Sequence, residues 1–162
     1  MCRPEANTHL VRGMSYCKVI DKPDWYLIEL LENGFPDDCS RKAINSNLDQ
    51  LLKQYGDEQA IWYGRYTEDH RLIGCLAIYH EPRLGHNLFA FTINEIDRKQ
   101  GHGKALLNYI LGLYPTVYIY SEFALVPYYE TLGFKQEVCL PLGQPKTGTV
   151  WMFRRPEIKL IT

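Results

Sequence analysis

Apolar and polar positions along the chain change period several times. Tyr16 to Ile20 reads as a first strand. Pro23 can then occupy the first turn of a helix with Trp25, Leu27, Ile28, Leu30 and Leu31 on one stripe, ending at Asn33-Gly34. A second stripe of Ile44, Leu48, Leu51, Leu52 and Tyr55 predicts a helix from about Ser40, closed by Gly56. The next three segments, Ala60 to Tyr66, Leu72 to Tyr79 and Leu88 to Ile93, are rich in β-branched and aromatic residues. Turn-like Thr67-Glu68-Asp69-His70 and Glu81-Pro82-Arg83-Leu84-Gly85 separate them, so an antiparallel meander is expected. Leu106, Leu107, Ile110 and Leu111 return to helical spacing, and Pro115 ends it. Val117 to Tyr120 is a strand that the helical crossover makes parallel to the one before. A short helix stopped by Gly133 follows, then strands Lys135 to Leu140 and Thr149 to Arg154 around a loop rich in proline and glycine.

The order β-α-α-β-β-β-α-β-α-β-β predicts an α/β fold on a mixed sheet. A chain of 162 residues, 46% of them hydrophobic, can bury one core, so a single domain over residues 14–156 is expected. Residues 1–13 read as a polar arm and 157–162 as a tail. No repeat or low-complexity segment interrupts the pattern.

The chemistry concentrates where the meander meets the helix, at Arg98-Lys99-Gln100-Gly101-His102-Gly103-Lys104. Two glycines one residue apart leave successive backbone N–H groups unobstructed at the start of a helix whose dipole favours negative charge. The ligand such a turn suits is a phosphate or pyrophosphate. A dinucleotide-binding turn is one reading, since Glu122 lies near the ribose-binding offset. Against it, Leu106 stands at the third glycine position and three strands precede the motif.

Arg98, Gly101 and Gly103 together with Tyr129-Glu130 and Gly133-Phe134 resemble the paired signature of the GNAT superfamily of N-acetyltransferases. That resemblance implies a split mixed sheet in which the pantetheine arm of acetyl-CoA lies like an added strand. It assigns the pantetheine to the backbone of Thr92, Ile93 and Asn94 and the pyrophosphate to Gln100, Gly101, His102, Gly103 and Lys104, with Arg98 and Lys99 also among the cofactor-binding residues. It implies direct acetyl transfer to a primary amine in a ternary complex, with Tyr129 as general acid for the departing thiolate and Tyr128 as its neighbour if the register slips by one. Many members carry a glutamate near the start of the strand before the glycine turn, where this chain has His86 and Asn87. Glu81, His86 and Glu122 are therefore the candidate bases, and a non-catalytic CoA-binding module of the same fold is the alternative.

Charge and cysteines narrow the partners. With 18 basic and 19 acidic residues the net charge is −1, which argues against nucleic acid as the main partner, a local basic patch being left open. The five cysteines are scattered and never closely paired, which reads as reduced thiols without a metal site; Cys75 and Cys139 fall in strands as core residues. No apolar run approaches the length needed to span a bilayer and the N-terminus lacks the apolar centre of a signal peptide, so a cytoplasmic protein is expected. The acceptor, a small molecule or a peptide amine, is not written in the residues, and a homodimer is left open.

Overall fold

The computed structural model describes residues 14–21, 23–34, 60–137 and 148–156. The expected helix from Ser40 to Gly56, the arm, the tail, Val138 to Leu140, Cys139 and the loop before Gly148 lie outside the described residues.

Strand β1, Tyr16–Ile20, is followed by α1, Trp25–Gly34. The start of α1 is fixed by Asp24, whose Oδ1 accepts from the backbone N–H of Tyr26 at 3.0 Å and of Leu27 at 3.3 Å. A side-chain acceptor at this position satisfies N–H groups that have no partner within the helix. Pro23 therefore precedes the cap rather than occupying the first turn. The meander consists of β2, Ala60–Tyr66, β3, Leu72–Glu81, and β4, Gly85–Ile93. A 3-10 turn at Glu95–Asp97 leads to α2, His102–Leu113. Beyond it come β5, Val117–Glu122, a 3-10 turn at Phe123–Leu125, α3, Val126–Glu130, then β6, Lys135–Glu137, and β7, Thr149–Arg154.

The seven strands form one mixed sheet of order β1-β2-β3-β4-β5-β7-β6. Connections of a few residues force β2, β3 and β4 to alternate in direction, since a parallel link needs a crossover of a dozen residues or more. Helix α2 supplies that crossover, and β4 and β5 are parallel, with His86, Asn87 and Leu88 opposite Val117, Tyr118 and Ile119. Strand β7 pairs antiparallel with both β5 and β6.

Three elements run longer than the apolar pattern indicated. Strand β3 continues past Tyr79 to Glu81, which the pattern places in the turn. Strand β4 begins at Gly85 rather than Leu88, because the polar His86 and Asn87 belong to the parallel ladder. Strand β5 continues to Glu122, paired with Thr149. The short helix is a 3-10 turn followed by five α-helical residues, with Pro127 in its first turn.

The described residues form two compact units. One comprises residues up to Ala77 with Ala90–Leu107, the other Ile78–Phe89 with the residues from Asn108 onward. In the first, Leu27, Ile73, Cys75, Leu76, Leu106 and Leu107 are completely buried. In the second, Ile110, Val117, Phe134 and Met152 form the interior. Burying each large aliphatic side chain contributes about 1.5–3 kcal/mol, so the stripe Leu106, Leu107, Ile110 and Leu111 is what holds α2 in place. No helix among the described residues is long and apolar enough to cross a membrane.

Candidate active site

In the first unit β4 changes conformation at its middle. Ala90 has a φ of +53°, in the left-handed region, inside an otherwise extended strand. A non-glycine residue there costs roughly 1–2 kcal/mol, and such a kink re-aims the strand that carries it. The buried Cys75 thiol bonds the Ala90 carbonyl at 3.6 Å, and burial pushes the pKa of that thiol well up, so it stays a neutral partner. The β4–β5 ladder runs only from His86 to Leu88.

At the end of β4 the Asn94 N–H donates to the Ile73 carbonyl of β3 at 2.7 Å, and the Asn94 carbonyl accepts from Asp97 N–H at 2.9 Å. Both backbone polar groups of Asn94 are thus engaged within the chain. Because successive amides of a strand point to opposite edges, the N–H of Ile93 is turned away from β3. Its carbonyl accepts from Arg98 Nε at 2.9 Å. Arg98 therefore holds the turn to the strand.

Asp97, buried although charged, receives both terminal nitrogens of Arg71 at 3.2 and 3.3 Å. This bidentate pair spends the Asp97 carboxylate, so it does not oppose an anion at the adjoining turn. Lys99 and Gly101 both take positive φ, +63° and +87°, on either side of Gln100. The first helical bond of α2 runs from Ala105 N–H to the Gly101 carbonyl at 3.0 Å. Gly101 is then the cap residue, and the N–H groups of Gly101, His102, Gly103 and Lys104 have no partner within the helix. Gly101 has no side chain with which to cap them, and nothing lies within 4 Å of the position its Cβ would take. Four successive donors without helical partners, open space beside Gly101 and a helix dipole fit a phosphate group.

His102, the first residue of α2, accepts at Nδ1 from Arg65 Nε at 3.2 Å. Desolvation, and then the Arg65 charge, lower its pKa, with Asp97 acting weakly the other way. The imidazole is therefore neutral near pH 7, and an acceptor Nδ1 leaves its proton on Nε2.

The second unit holds the remaining expected residues. Tyr129 on α3 is 7% exposed, its ring edge-on to Tyr128 and Phe134 at 5.4 and 5.5 Å. Burial, with smaller effects from Tyr128 and Glu122, pushes its hydroxyl pKa far up, so it keeps its proton. Tyr128 is 37% exposed. The chain passes from Glu122, the last residue of β5, through the 3-10 turn Phe123–Leu125 directly into α3, so Glu122 and Tyr129 stand on successive elements. His86 and Glu81 lie elsewhere. His86 sits opposite Val117, at the start of β5. Five residues of strand separate Val117 from Glu122, roughly 17 Å at the rise of an extended chain. His86 packs against His80 at 5.2 Å and Tyr114 at 4.7 Å, and desolvation followed by His80 lowers its pKa. Glu81 Oε1 accepts from the backbone and side chain of Arg83 at 3.0 and 3.1 Å, and these bonds hold its pKa down.

Sequence reasoning missed Arg71, Arg65 and the kink at Ala90. The two arginines act on partners 26 and 37 residues away, and an alanine gives no signal for positive φ.

No family model and no curated protein matches the sequence. Solved structures do. An acetyltransferase of the GNAT family from Staphylococcus aureus is 16% identical, over 86% of this chain and 98% of that one, with a TM-score of 0.65. An acetyltransferase from Streptococcus agalactiae is 14% identical over 88% and 98%, TM-score 0.67. A Pyrococcus horikoshii protein is 16% identical over 90% and 100%, TM-score 0.70. The chain has the GNAT fold, and at these identities the likeness is one of fold.

Proposed function

We propose that the protein is an N-acetyltransferase that moves an acetyl group from acetyl-CoA directly to a primary amine. The observation that carries the reading is the entry to α2. Its four uncapped N–H groups begin at Gly101, which like Lys99 takes a left-handed conformation, on a fold shared with solved acetyltransferases.

In this reading the pyrophosphate lies on the N–H groups of Gly101 to Lys104, and the pantetheine runs along the edge of β4 turned away from β3. The N–H of Ile93 is the donor available to the thioester oxygen. A fixed donor of that kind is worth about 3 kcal/mol in the transition state. An alkylamine with a pKa of about 10.4 is mostly ammonium at pH 7, so freeing its lone pair costs roughly 4–5 kcal/mol. Glu122 is the base this reading prefers, because the chain runs from it through one short turn into the helix that carries Tyr129, whereas His86 stands opposite Val117 at the other end of β5.

As the amine nitrogen bonds the acetyl carbon, the carbon–sulfur bond breaks and negative charge gathers on sulfur. A thiolate whose conjugate acid has a pKa of about 8.5 is a weaker base than the Tyr129 phenolate, so Tyr129 contributes a hydrogen bond and keeps its proton at equilibrium. The proton that leaves the amine ends on the thiol.

The test is thiol release from acetyl-CoA by the full chain against a panel of primary amines, with mass spectrometry of the acetylated product. Amine-dependent release supports the proposal. CoA binding with no release across the panel would support a non-catalytic module instead.

A further inference from the structure

Arg65, half-buried on β2, is a cation held by uncharged partners. It stands directly opposite Cys17 in the antiparallel ladder of β1 and β2, so the two side chains share a face of the sheet. Its Nη1 donates to the Cys17 sulfur at 3.5 Å and its Nε to His102 Nδ1 at 3.2 Å, which joins both strands to the first residue of α2. Burial raises the Cys17 pKa against the opposing bond and charge of Arg65, so the thiol keeps its proton near neutrality. Among the described residues the ion pairs join Arg71 to Asp97, Arg83 to Glu81 and Arg155 to Glu137, and none of them includes Arg65. A partly desolvated cation costs free energy unless an anion offsets it.

The position of His102 says where that anion belongs. Its backbone N–H is one of the four donors at the entry to α2, so Arg65 stands one imidazole ring behind them. The other charged groups around His102 are few. Asp97 of the 3-10 turn is bonded to both terminal nitrogens of Arg71, and Lys99 and Lys104 are exposed along the turn itself. Glu68 and Asp69, between β2 and β3, line with His102 a cavity of about 440 Å³. A proton on Nδ1 would destroy the acceptor that Arg65 uses and set two positive charges together, so the bond selects the neutral ring with its proton on Nε2.

We propose that Arg65 is a positioning residue of the phosphate site, which orients the His102 ring through Nδ1 and lends its charge, paired with no described carboxylate, to the anion bound at the entry to α2. The bound phosphate supplies the negative charge that offsets the guanidinium, and the field of Arg65 in turn favours the anion through the neutral ring. Without Arg65 that charge is lost while the ring is neutral, and a proton on His102 takes its place when the pH falls. The inference rests on the acetyl-CoA reading for its ligand, but the state of the His102 ring is measured without any ligand.

The test is calorimetric titration of CoA into the full chain, wild type and Arg65→Met, at about pH 8 and about pH 5.5. Each loss is taken against wild type at the same pH, so that titration of the CoA phosphate, with a pKa of about 6, cancels. Arg65→Met should weaken CoA roughly threefold or more at the higher pH and by less at the lower, where His102 gains a proton in place of the lost charge. Adding His102→Gln to Arg65→Met should make the loss equal at both values. Nitrogen NMR of the ligand-free wild type should show the His102 proton on Nε2, the signals being assigned by their disappearance in His102→Gln. Circular dichroism checks that each variant is folded, and Arg65→Gln, also uncharged, takes the place of Arg65→Met if that chain does not fold. An equal loss at both pH values in the single variant, unchanged CoA affinity in a folded Arg65 variant, or a His102 proton on Nδ1 would overturn the proposal. No CoA binding by wild type would overturn the acetyl-CoA reading and this role together, whereas CoA binding indifferent to Arg65 would overturn the role alone.

Discussion

Gly74 on β3 offers a way to disturb the donor strand without replacing any residue assigned to a ligand. A Cβ at Gly74 would lie 2.4 Å from Ile93 Cδ1 and 3.2 Å from the Thr92 carbonyl oxygen. The Ile93 terminus can rotate aside, but the carbonyl is backbone and must give by a few tenths of an ångström. Gly64 is the control: its Cβ would meet Tyr66 Cε2 at 2.7 Å and Leu72 Cδ1 at 2.8 Å, both side chains. Overpacking of this kind costs about 1–3 kcal/mol, which for a chain of this size lowers the melting temperature by roughly 2–12 °C. Both Gly74→Ala and Gly64→Ala should show that loss. Only Gly74→Ala should also weaken CoA, because it displaces the Thr92–Ile93 backbone; loss of one hydrogen bond of about 0.5–1.5 kcal/mol corresponds to roughly two- to tenfold. Scanning fluorimetry and CoA calorimetry on the same samples measure both effects. Wild-type CoA affinity in a destabilised Gly74→Ala protein would refute the assignment of the pantetheine to this strand.

Three further outcomes follow from the second unit and the titrating groups. Tyr129→Phe should retain CoA binding and lower turnover about a hundredfold, whereas Tyr128→Phe should leave turnover near wild type; the reverse would place the motif one residue out of register. The rate of amine acetylation should level off before the pKa of the amine, and Glu122→Gln should remove that plateau; an unchanged pH profile would exclude Glu122 as base. His86 and His102 have lowered pKa values in the folded chain, so the unfolded chain binds more protons below the ordinary histidine value of about 6.5. Stability should therefore fall as pH drops below that value, and His86→Gln should flatten part of the fall in a series of melting curves.

The outer strands were legible because they alternate cleanly or are continuously apolar: Tyr16–Ile20, Ala60–Tyr66 and Thr149–Arg154 have the bounds their residues indicated. The glycine turn was legible because positive φ at Gly101 is what glycine permits. Lys99 carries no such mark, since a lysine side chain gives no local preference for the left-handed backbone it takes. The apolar run before the glycine turn starts at Leu88, yet the strand also takes in His86 and Asn87 because β5 supplies their ladder. Pairings such as Arg71 with Asp97 depend on which strands become neighbours, and no local pattern encodes that.

The central claim is that the entry to α2 holds the phosphates of acetyl-CoA. Calorimetric titration of acetyl-CoA into the wild-type chain and into Gly103→Glu tests it, since the substitution sets a negative side chain among the four N–H donors. Wild type should bind, and the folded variant should bind at least tenfold more weakly, a loss of about 1.4 kcal/mol or more. Equal affinity in a folded Gly103→Glu protein, or no binding by the wild type, would contradict the account.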